Sequence, residues 1–356
     1  MPLYMDIHIV DSENFSVEDV VTAHMQDLAV QEKFGVIQIK YWVDVENKKI
    51  FCLMEGPSKE ACNAVHLESH GNTACNLIEV SDDEYNLFLN IGKSKEDLAY
   101  TLSDKVDAGY RTFLLVNTID FTGKYNHYTN RIYQIIERYE GINIAQANKG
   151  ILMSFIDAKN AIISAITIEK LLKSIPDNYE YRLALVTGNP VDVDGEKLFE
   201  ETKKKINILG RIGLNNTIYV DEITKTILAK IPQSPKLSSE VFTIVGLNDY
   251  SFLEKISAVF NSNFQNPDFN LEKLNVALGL SKAQSYRKIK SVTGFSPNQL
   301  IQELRLQKSL RALKNNTNTV AEIAYDLGFN SPTYFTRVFK KRFKILPTSF
   351  IKSFAK

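Results

Sequence analysis

Four of the five histidines lie within the first 70 residues of the chain, and their spacing suits a metal ion. His66 and His70 are four positions apart in a segment with helical periodicity, so their imidazoles share one helix face. Asp6 and His8 alternate on one face of a predicted strand, and we expect this face to be open because the intervening apolar residues pack the other. Imidazole and carboxylate donors suit a borderline divalent cation such as Ni²⁺, Zn²⁺, Co²⁺ or Cu²⁺.

Other donors near these residues leave alternatives open. His24 lies on the apolar stripe of a predicted helix, where a histidine is more often a hydrogen-bonded core residue than a ligand. Cys52 and Glu55 fall on opposite faces of a neighbouring strand, so at most one of them shares a pocket with His8. Cys52 and Cys62 are expected to be small buried hydrophobes. The candidate metal ligands are therefore His8, His66, His70, Asp6, His24 and Glu55.

The formal net charge of zero hides an uneven distribution along the 356 residues. Basic minus acidic residues give −11 for residues 1–90 (5 against 16), +1 for 91–245 (20 against 19) and +10 for 246–356 (17 against 7). A basic C-terminal block suits a polyanion, and an acidic N-terminal block suits cations. Three cysteines without repeated spacing predict no disulfide framework. Without a signal-peptide pattern or an apolar run of membrane-span length, we expect a cytoplasmic protein and no membrane partner.

Hydrophobic periodicity predicts three blocks. Residues 1–80 follow a βαββαβ order, which is typical of a ferredoxin-like sandwich, and a helical linker is predicted over 81–107. Residues 110–232 form a second α/β block, and the Pro- and Ser-rich segment 231–240 is predicted to be a linker. The remaining residues are predicted to be all helical.

The last hundred residues contain one helix-turn-helix pattern twice, over 270–298 and 319–348. In each copy an apolar-striped helix is followed by a glycine, Gly279 or Gly328, and then by a second helix that Ser281 or Ser331 caps. Such a second helix enters the DNA major groove while the first braces it. A helix of roughly 25 Å over residues 298–314 separates the copies, which suits successive major grooves about 34 Å apart.

Polar residues on and beside the outer faces of the second helices are the predicted DNA contacts. Base contacts are expected from Lys282, Gln284, Ser285 and Arg287 in the first copy, with Lys288 beside them, and from Ser331, Thr333, Thr336 and Arg337 in the second. Phosphate contacts are expected from Arg305, Lys340 and Lys341. A helical bundle with a merely solvated basic face is the alternative, and the joint presence of both copies, the spacer and the caps disfavours it.

The C-terminal block resembles the DNA-binding domain of AraC/XylS-type transcriptional regulators over residues 248–352. The resemblance is carried by residues 280–281, 286–290, 294–297, 305–306, 323–324, 328–329, 331–335, 339–343 and Pro347. It implies a regulator that binds double-stranded DNA and is not an enzyme. Lys344 and Ile345 depart from the family's usual glycine, which affects only a local turn.

Residues 1–80 resemble the small nickel-binding-protein-like family of ferredoxin-like domains. The matching residues are 5–8, 23–28, 30–31, 41–42, 51–57 and 65–71. This resemblance implies a site for a divalent transition metal, with nickel or zinc as the expected ion. It also implies a homodimer that is built sheet to sheet.

Residues 110–230 resemble, at fewer positions, the homology domain of class III nucleotide cyclases, through residues 120–123, 149–155 and 186–188. Two-metal phosphoryl chemistry needs two carboxylates beside the triphosphate. Asp120 matches the first, but Lys149 stands in place of the second and should repel Mg²⁺. By alignment, Lys204 and Ile208 replace the asparagine and arginine that orient the ribose and stabilise the transition state. The resemblance therefore implies a degenerate domain that serves dimerisation or ligand binding.

Together these features predict a multidomain α+β regulator. Its domains are a ferredoxin-like metal sensor (1–82), a degenerate cyclase-like α/β domain (108–232) and an all-α double helix-turn-helix domain (246–356). We expect a homodimer that binds DNA and takes a divalent metal as its signal. The alternative signal is a nucleotide-like small molecule in the middle domain, with the N-terminal domain used only for dimerisation.

Overall fold

The computed structural model describes residues 1–121, 127–144, 150–175, 179–211, 216–315 and 318–354. These residues form two six-stranded sheets followed by a helical block. The predicted α+β fold class is therefore confirmed. Among the described residues, no helix is both long and apolar enough to pass through a bilayer.

The first sheet begins with the predicted ferredoxin-like unit. Its elements are β1 (Leu3–Ile9), α1 (Val17–Val30), β2 (Ile37–Asp44), β3 (Lys49–Glu55), α2 (Lys59–Ser69) and β4 (Asn76–Val80). The four strands are antiparallel neighbours in the order β4-β1-β3-β2, and the two helices cover one face. This order confirms the βαββαβ prediction.

The segment after β4 is not the helical linker that its polar composition predicts. It contains a short helix α3 (Asp82–Glu84), a π-helical turn (Tyr85–Leu89) and the strands β5 (Lys93–Lys95) and β6 (Leu98–Tyr100). Strand β6 joins the edge of β2, where Leu98 lies opposite Tyr41. Several apolar side chains of this segment are buried, among them Phe88 and Leu98, and their packing outweighs the local composition.

The two faces of β1 are assigned opposite to the prediction. Asp6 and His8 lie under α1 and α2, on the side that also holds the buried Tyr4. Met5 and Ile7 face the other way and share a core with the second sheet. Asp6 and His8 are therefore not on an open face, because both faces of this sheet are covered within the chain.

The second sheet has the strand order β12-β11-β10-β7-β9-β8. Its strands are β7 (Arg111–Asp120), β8 (Ile142–Ile144), β9 (Ile151–Phe155), β10 (Tyr179–Gly188), β11 (Ile218–Asp221) and β12 (Phe242–Val245), and its helices are α4 (His127–Arg138), α5 (Ala158–Lys173), α6 (Glu200–Leu209) and α7 (Glu222–Lys230). Along β7, Leu114 and Val116 pack beneath α4 and α5, whereas Phe113 and Leu115 face α6 and the first sheet. Strand β12 lies beyond the predicted linker 231–240.

The helical block contains both predicted helix-turn-helix copies. Its helices are α8 (Leu247–Asn263), α9 (Leu271–Leu278), α10 (Lys282–Thr293), α11 (Pro297–Asn315), α12 (Val320–Asp326), α13 (Pro332–Phe343) and α14 (Pro347–Phe354). Helix α11 is the predicted spacer between the copies. The block packs on the second sheet through Phe121, whose ring centroid lies 5.1 Å from that of Phe343 and 6.2 Å from that of Phe350.

The sheet face expected to form a homodimer is buried inside the chain. Trp42, Phe51 and Leu53 on this face are 0% exposed and belong to the same core as Phe113 of the second sheet. Phe88 fills the space between the sheets, with its ring centroid 5.7 Å from that of Phe113. A sheet-to-sheet homodimer through this face is therefore excluded, because another part of the chain already occupies it.

Candidate metal centre and DNA-binding interface

Three elements of the ferredoxin-like unit bring histidines and carboxylates together between the sheet and its two helices. Strand β1 supplies Asp6 and His8, α2 supplies His66 and His70, and α1 supplies Asp27. The Nε2 atoms of His66 and His8 lie 2.9 and 3.1 Å from the same oxygen, Oδ2 of Asp6. On its other side, Nδ1 of His66 lies 3.1 Å from Oδ2 of Asp27. His66 therefore joins two buried carboxylates.

The cluster combines deep burial with charge. Asp6 is 0% exposed and His66 is 1% exposed. Burial opposes ionisation of Asp6, but the neighbouring His8 and His66 still hold the pKa of this carboxyl well below its usual range. Burial also opposes the imidazolium form of His66, yet the hydrogen bonds that its ring nitrogens donate to Asp27 and Asp6 raise the pKa of His66 to about 10. The site thus stabilises positive charge in a place that water does not reach.

Cys52 completes one of two possible donor sets. One donor atom each from Asp6, His8, Cys52 and His66 lies within 4.8 Å of the others, and a second such set contains Asp27, His66 and His70. The main-chain N–H of Cys52 donates to Oδ1 of Asp6 at 2.8 Å, which fixes the carboxylate. Burial raises the pKa of the Cys52 thiol, so a metal would have to displace its proton. Two imidazoles, a carboxylate and a sulfur fit a borderline divalent ion.

Two predicted ligands lie away from this cluster. His24 is buried, its Nε2 lies 3.1 Å from Oδ2 of Asp97, and its ring packs 4.4 Å from that of Tyr41. Glu55 binds the N-terminal amine of Met1 at 2.7 Å. Both predictions of a ligand are wrong, because His24 points toward the β6 extension and Glu55 lies on the strand face opposite to Cys52.

Besides Cys52, which was expected to be only a small buried hydrophobe, the predicted ligand set missed Asp27 of this cluster. It is 3% exposed, although aspartate is rarely buried without a partner. Val20, His24 and Asp27 are the buried residues of α1 and follow one another at four and three positions. This helical spacing was a signal in the sequence that could have placed Asp27 on the inner face.

The second helices of the two copies, α10 and α13, are called the reading helices below. They have the N-terminal geometry that the sequence predicts. The Ser281 side chain accepts a hydrogen bond from the Gln284 N–H, and the Gln284 side chain accepts one from the Ser281 N–H. Ser331 accepts from the Tyr334 N–H, and Pro332 occupies the first turn. These caps fix the start of both reading helices.

Most of the predicted DNA contacts lie on accessible surfaces of the reading helices. The exposed ones are Lys282, Gln284, Arg287, Thr333, Arg337, Lys340 and Lys341, and the half-buried ones are Lys288, Ser331 and Thr336. The Lys288 ammonium lies 4.7 Å from the ring centroid of Phe252, and the Arg337 guanidinium lies 5.3 Å from that of Tyr334. Each of these cations therefore also packs against an aromatic ring.

Ser285 and Arg305 are not placed to contact DNA. Ser285 is 0% exposed on the inner face of α10. Arg305 is buried and donates to the main-chain carbonyls of Phe264 and Asn266 at 3.2 and 2.7 Å. These two predictions are wrong, and Arg305 instead fixes the connection between α8 and α9.

Tyr286 and Lys290 are exposed on α10 but were not among the predicted contacts. The two copies repeat with an offset of 50 residues, since Ser281 corresponds to Ser331. At this offset Lys290 corresponds to Lys340, which was predicted to contact phosphate. The internal repeat could therefore have identified Lys290.

Two cyclase-like positions of the middle region, Lys204 and Ile208, make contacts within the protein, and a third, Asp120, lies beside a packed residue. Asp120 ends β7, and the next residue, Phe121, is buried against the C-terminal helices. Lys204 forms an ion pair with Glu254 of α8, and Ile208 is buried. Lys149 and residues 122–126 lie outside the described residues.

Comparison with known proteins agrees with this division of the chain. Residues 274–353 match the family model of a helix-turn-helix domain, and residues 4–80 match the model of the nickel responsive protein SCO4226-like family. The regulator MtrA of Neisseria gonorrhoeae is 35% identical over 85 residues, which are 24% of this chain and 28% of MtrA. The chain carries an AraC-type helix-turn-helix domain. An SCO4226-like domain precedes it at the N-terminus.

Two solved structures are similar to parts of this chain. SCO4226 from Streptomyces coelicolor A3(2) is 36% identical with a TM-score of 0.21, covering 22% of this chain and 94% of that chain. An adenylate/guanylate cyclase/hydrolase from Silicibacter pomeroyi is 18% identical with a TM-score of 0.30, covering 36% and 86%. At these TM-scores neither likeness carries a functional assignment. This chain spans only 9% to 52% of the lengths of eight curated relatives that it matches.

Proposed function

We propose that the protein is a sequence-specific, DNA-binding transcriptional regulator whose N-terminal domain binds a divalent transition metal as its signal. The observation that carries this proposal is the buried convergence of Asp6, His8, Cys52 and His66 in a chain that also presents two capped reading helices. The proposal assigns it no catalytic activity. A regulator of this kind works in the compartment that holds the DNA, which agrees with the expected cytoplasmic location.

Asp6, His8, Cys52 and His66 are the proposed metal ligands. If Nε2 of His66 binds the ion, its Nδ1–H can donate to Asp27, and such a carboxylate partner orients a metal-bound histidine. His70 is not among the proposed ligands, because its Nε2 lies against Asp27, at 3.4 Å, and not against Asp6. The name of the matching N-terminal family favours nickel over zinc.

A continuous apolar core supports communication between the two ends of the chain. It runs from Met5 on β1 through Phe113 on β7 to Leu253 on α8 and Ile289 on the first reading helix. If a bound metal shifts β1 against α2, the packed side chains of this core transmit the displacement to α10. If metal changes DNA affinity, DNA must change metal affinity by the same factor.

Homodimerisation stays part of the proposal, through a surface other than the buried sheet face. The nucleotide-like signal stays an alternative without support from the described residues. The chain beside Asp120, where a cyclase would bind its metal ions, packs through Phe121 against Phe343 and Phe350. The helix-turn-helix block therefore contacts the residue next to Asp120, the position that matches a cyclase metal ligand.

Calorimetric titration of metal-stripped protein with Ni²⁺, Zn²⁺, Co²⁺ and Cu²⁺ tests the metal proposal. We expect about one ion per chain, and an affinity that falls at least about a hundredfold in His66→Ala, since His66 belongs to both donor sets. His24→Ala is the matched control, because it removes a buried histidine outside the cluster. Binding weaker than about 10⁻⁴ M, or equal losses in the two variants, would reject a metal signal at this site.

Binding to a site selected from random DNA tests the DNA-reading proposal. Arg337→Ala should cost about 1–3 kcal/mol on the selected site and much less on random DNA, because an exposed arginine of a reading helix can contact base edges. Lys341→Ala should weaken binding to both and reduce its salt dependence. An equal loss for Arg337→Ala on both DNAs would make this residue a phosphate contact only.

A further inference from the structure

A cavity of about 850 Å³ lies where the two sheets meet the start of the helical block. Its walls include Asn47 between β2 and β3, Ser154 on β9, Thr187 on β10 and Leu247 at the start of α8. Small-molecule sites usually have volumes of about 300–1,000 Å³. Among the described residues, no member of the metal cluster lines this cavity. It is a separate place in the molecule.

The cavity wall contains buried polar atoms with open hydrogen-bonding capacity. Ser154 is 1% exposed, and within the described residues its Oγ has no hydrogen-bond partner. Oδ1 of Asn189, on the same wall, is also buried and lacks a partner there. An unsatisfied buried polar group costs about 1–3 kcal/mol. A ligand that hydrogen-bonds to these atoms would remove this cost.

Neighbouring hydroxyls hold this wall in a fixed arrangement. Oγ1 of Thr187 lies 2.8 Å from that of Thr112 and 2.7 Å from that of Thr224. Thr224 in turn donates to Asp221 through its hydroxyl and its main-chain N–H. These hydroxyls bond to one another, whereas the buried hydroxyl of Ser154 has no partner among the described residues.

The charge of the lining restricts the ligand. Eight carboxylate residues and four lysines line the cavity among the described residues, a difference of four negative charges. Some of the lining carboxylates have cationic partners, among them Glu46 with Lys230 and Asp107 with Arg111. Lys205 lies 3.8 Å from Asp221, so the lining keeps an excess of negative charge. A phosphate group would meet net repulsion here. Apolar side chains, including Ile227, complete the lining.

We propose that this cavity binds a small organic molecule that is uncharged or cationic, with hydrogen-bonding groups on an apolar body. Its occupant would touch Leu247, where the first helix of the DNA-binding block begins. The site gives the regulator an input besides the metal, and its chemistry differs from that of a nucleotide. This inference does not depend on metal binding.

Ligand-observed NMR on the full chain tests the proposal with matched alcohols, amines and carboxylates built on phenyl, indolyl and naphthyl rings. We expect alcohols and amines to bind and the carboxylates of the same rings to bind at least about tenfold more weakly. Ser154→Ala should weaken alcohol or amine binding about threefold to tenfold, the equivalent of one hydrogen bond. Ile227→Trp, at a half-buried position of the wall, should block binding.

Ser164→Ala is the matched control for Ser154→Ala. Ser164 is also fully buried with an unpartnered Oγ in the described structure, but it does not line the cavity. We expect it to bind the same compounds as the unchanged protein. Equal effects of the two serine variants, equally tight carboxylates, or no binding by any compound would overturn the proposal. Because removal of an unpartnered hydroxyl should not destabilise the fold, both variants remain testable.

Discussion

Arg287 and Arg337 occupy the same place in the two reading helices, six residues after the serine N-caps. Both are exposed. The residues two positions earlier, Ser285 and Phe335, are both fully buried. The residue type at position 285 suggested a DNA contact, whereas the position within the repeat placed it in the core.

We therefore predict that Arg287→Ala weakens DNA binding by about 1–3 kcal/mol, while Ser285→Ala leaves it nearly unchanged. Ser285 cannot reach DNA without leaving the core, and its Oγ has no partner in the described structure that the alanine would lose. Fluorescence anisotropy with a selected DNA site measures both variants. A loss in Ser285→Ala as large as that in Arg287→Ala would show that DNA contacts the face of α10 that carries Ser285.

Asp27 and Asp97 provide a second pair for comparison, because each carboxylate holds a histidine. Asp27 lies against His66 in the cluster, and Asp97 lies against His24 outside it. Asp27→Asn should lower metal affinity about 10- to 100-fold by loosening His66, whereas Asp97→Asn should not change it. Titration with Ni²⁺ measures both. If neither variant changes the affinity, Asp27 does not position a metal ligand.

At the scale of elements, the two reading helices end alike despite different residues. Gly294 ends α10 with φ +75°, and Lys344, its counterpart at an offset of 50 residues, ends α13 with φ +60°. Each donates its N–H to the carbonyl four residues earlier. The departure from glycine at Lys344 therefore leaves the turn intact, but a side chain in this conformation costs about 1–2 kcal/mol.

Lys344→Gly should thus stabilise the end of α13 by about 1 kcal/mol. Hydrogen exchange of the α13 amides should slow about fivefold, the equivalent of this energy. Lys341→Gly, within the same helix, is the control and should accelerate exchange because glycine disfavours helix interiors. Faster exchange in Lys344→Gly would show that the lysine side chain stabilises the turn.

At the scale of the whole molecule, Arg342 connects the second reading helix to the middle sheet. Its guanidinium binds both carboxylate oxygens of Glu180 on β10 and both of Glu303 on α11. Burial opposes its charge, but these two carboxylates still raise the pKa of Arg342 above its usual value. The reading helix is therefore held to the sheet by a partly buried ion network as well as by aromatic packing.

Glu180→Gln should weaken this connection while leaving the Arg342–Glu303 pair in place. If metal acts through the packed chain, the ratio of DNA affinities with and without metal should fall, by up to about fivefold or ~1 kcal/mol. The affinity for the metal alone should not change. Glu222→Gln, which breaks the exposed pair with Lys225, is the control. An unchanged ratio in Glu180→Gln would show that the signal takes another route.

The sequence alone determined the local features of this protein. Alternation and helical periodicity gave the ferredoxin-like order, and serine caps with glycine turns gave both helix-turn-helix copies, since such signals depend on neighbouring residues. The spacing of His66 and His70 placed them on one helix, and Asp6 and His8 on one strand face. These local patterns were sufficient to predict a candidate metal site in the N-terminal block and a candidate DNA-binding surface in the C-terminal block.

Only the tertiary structure decided which faces meet. Alternation separates Asp6 from Met5, but both faces of β1 are covered, and the identity of each covering element depends on residues far along the chain. For the same reason His24 pairs with Asp97 and not with the cluster. The cavity beside Ser154 also arises between segments that are distant in sequence. Long-range packing places these groups, and no local pattern encodes it.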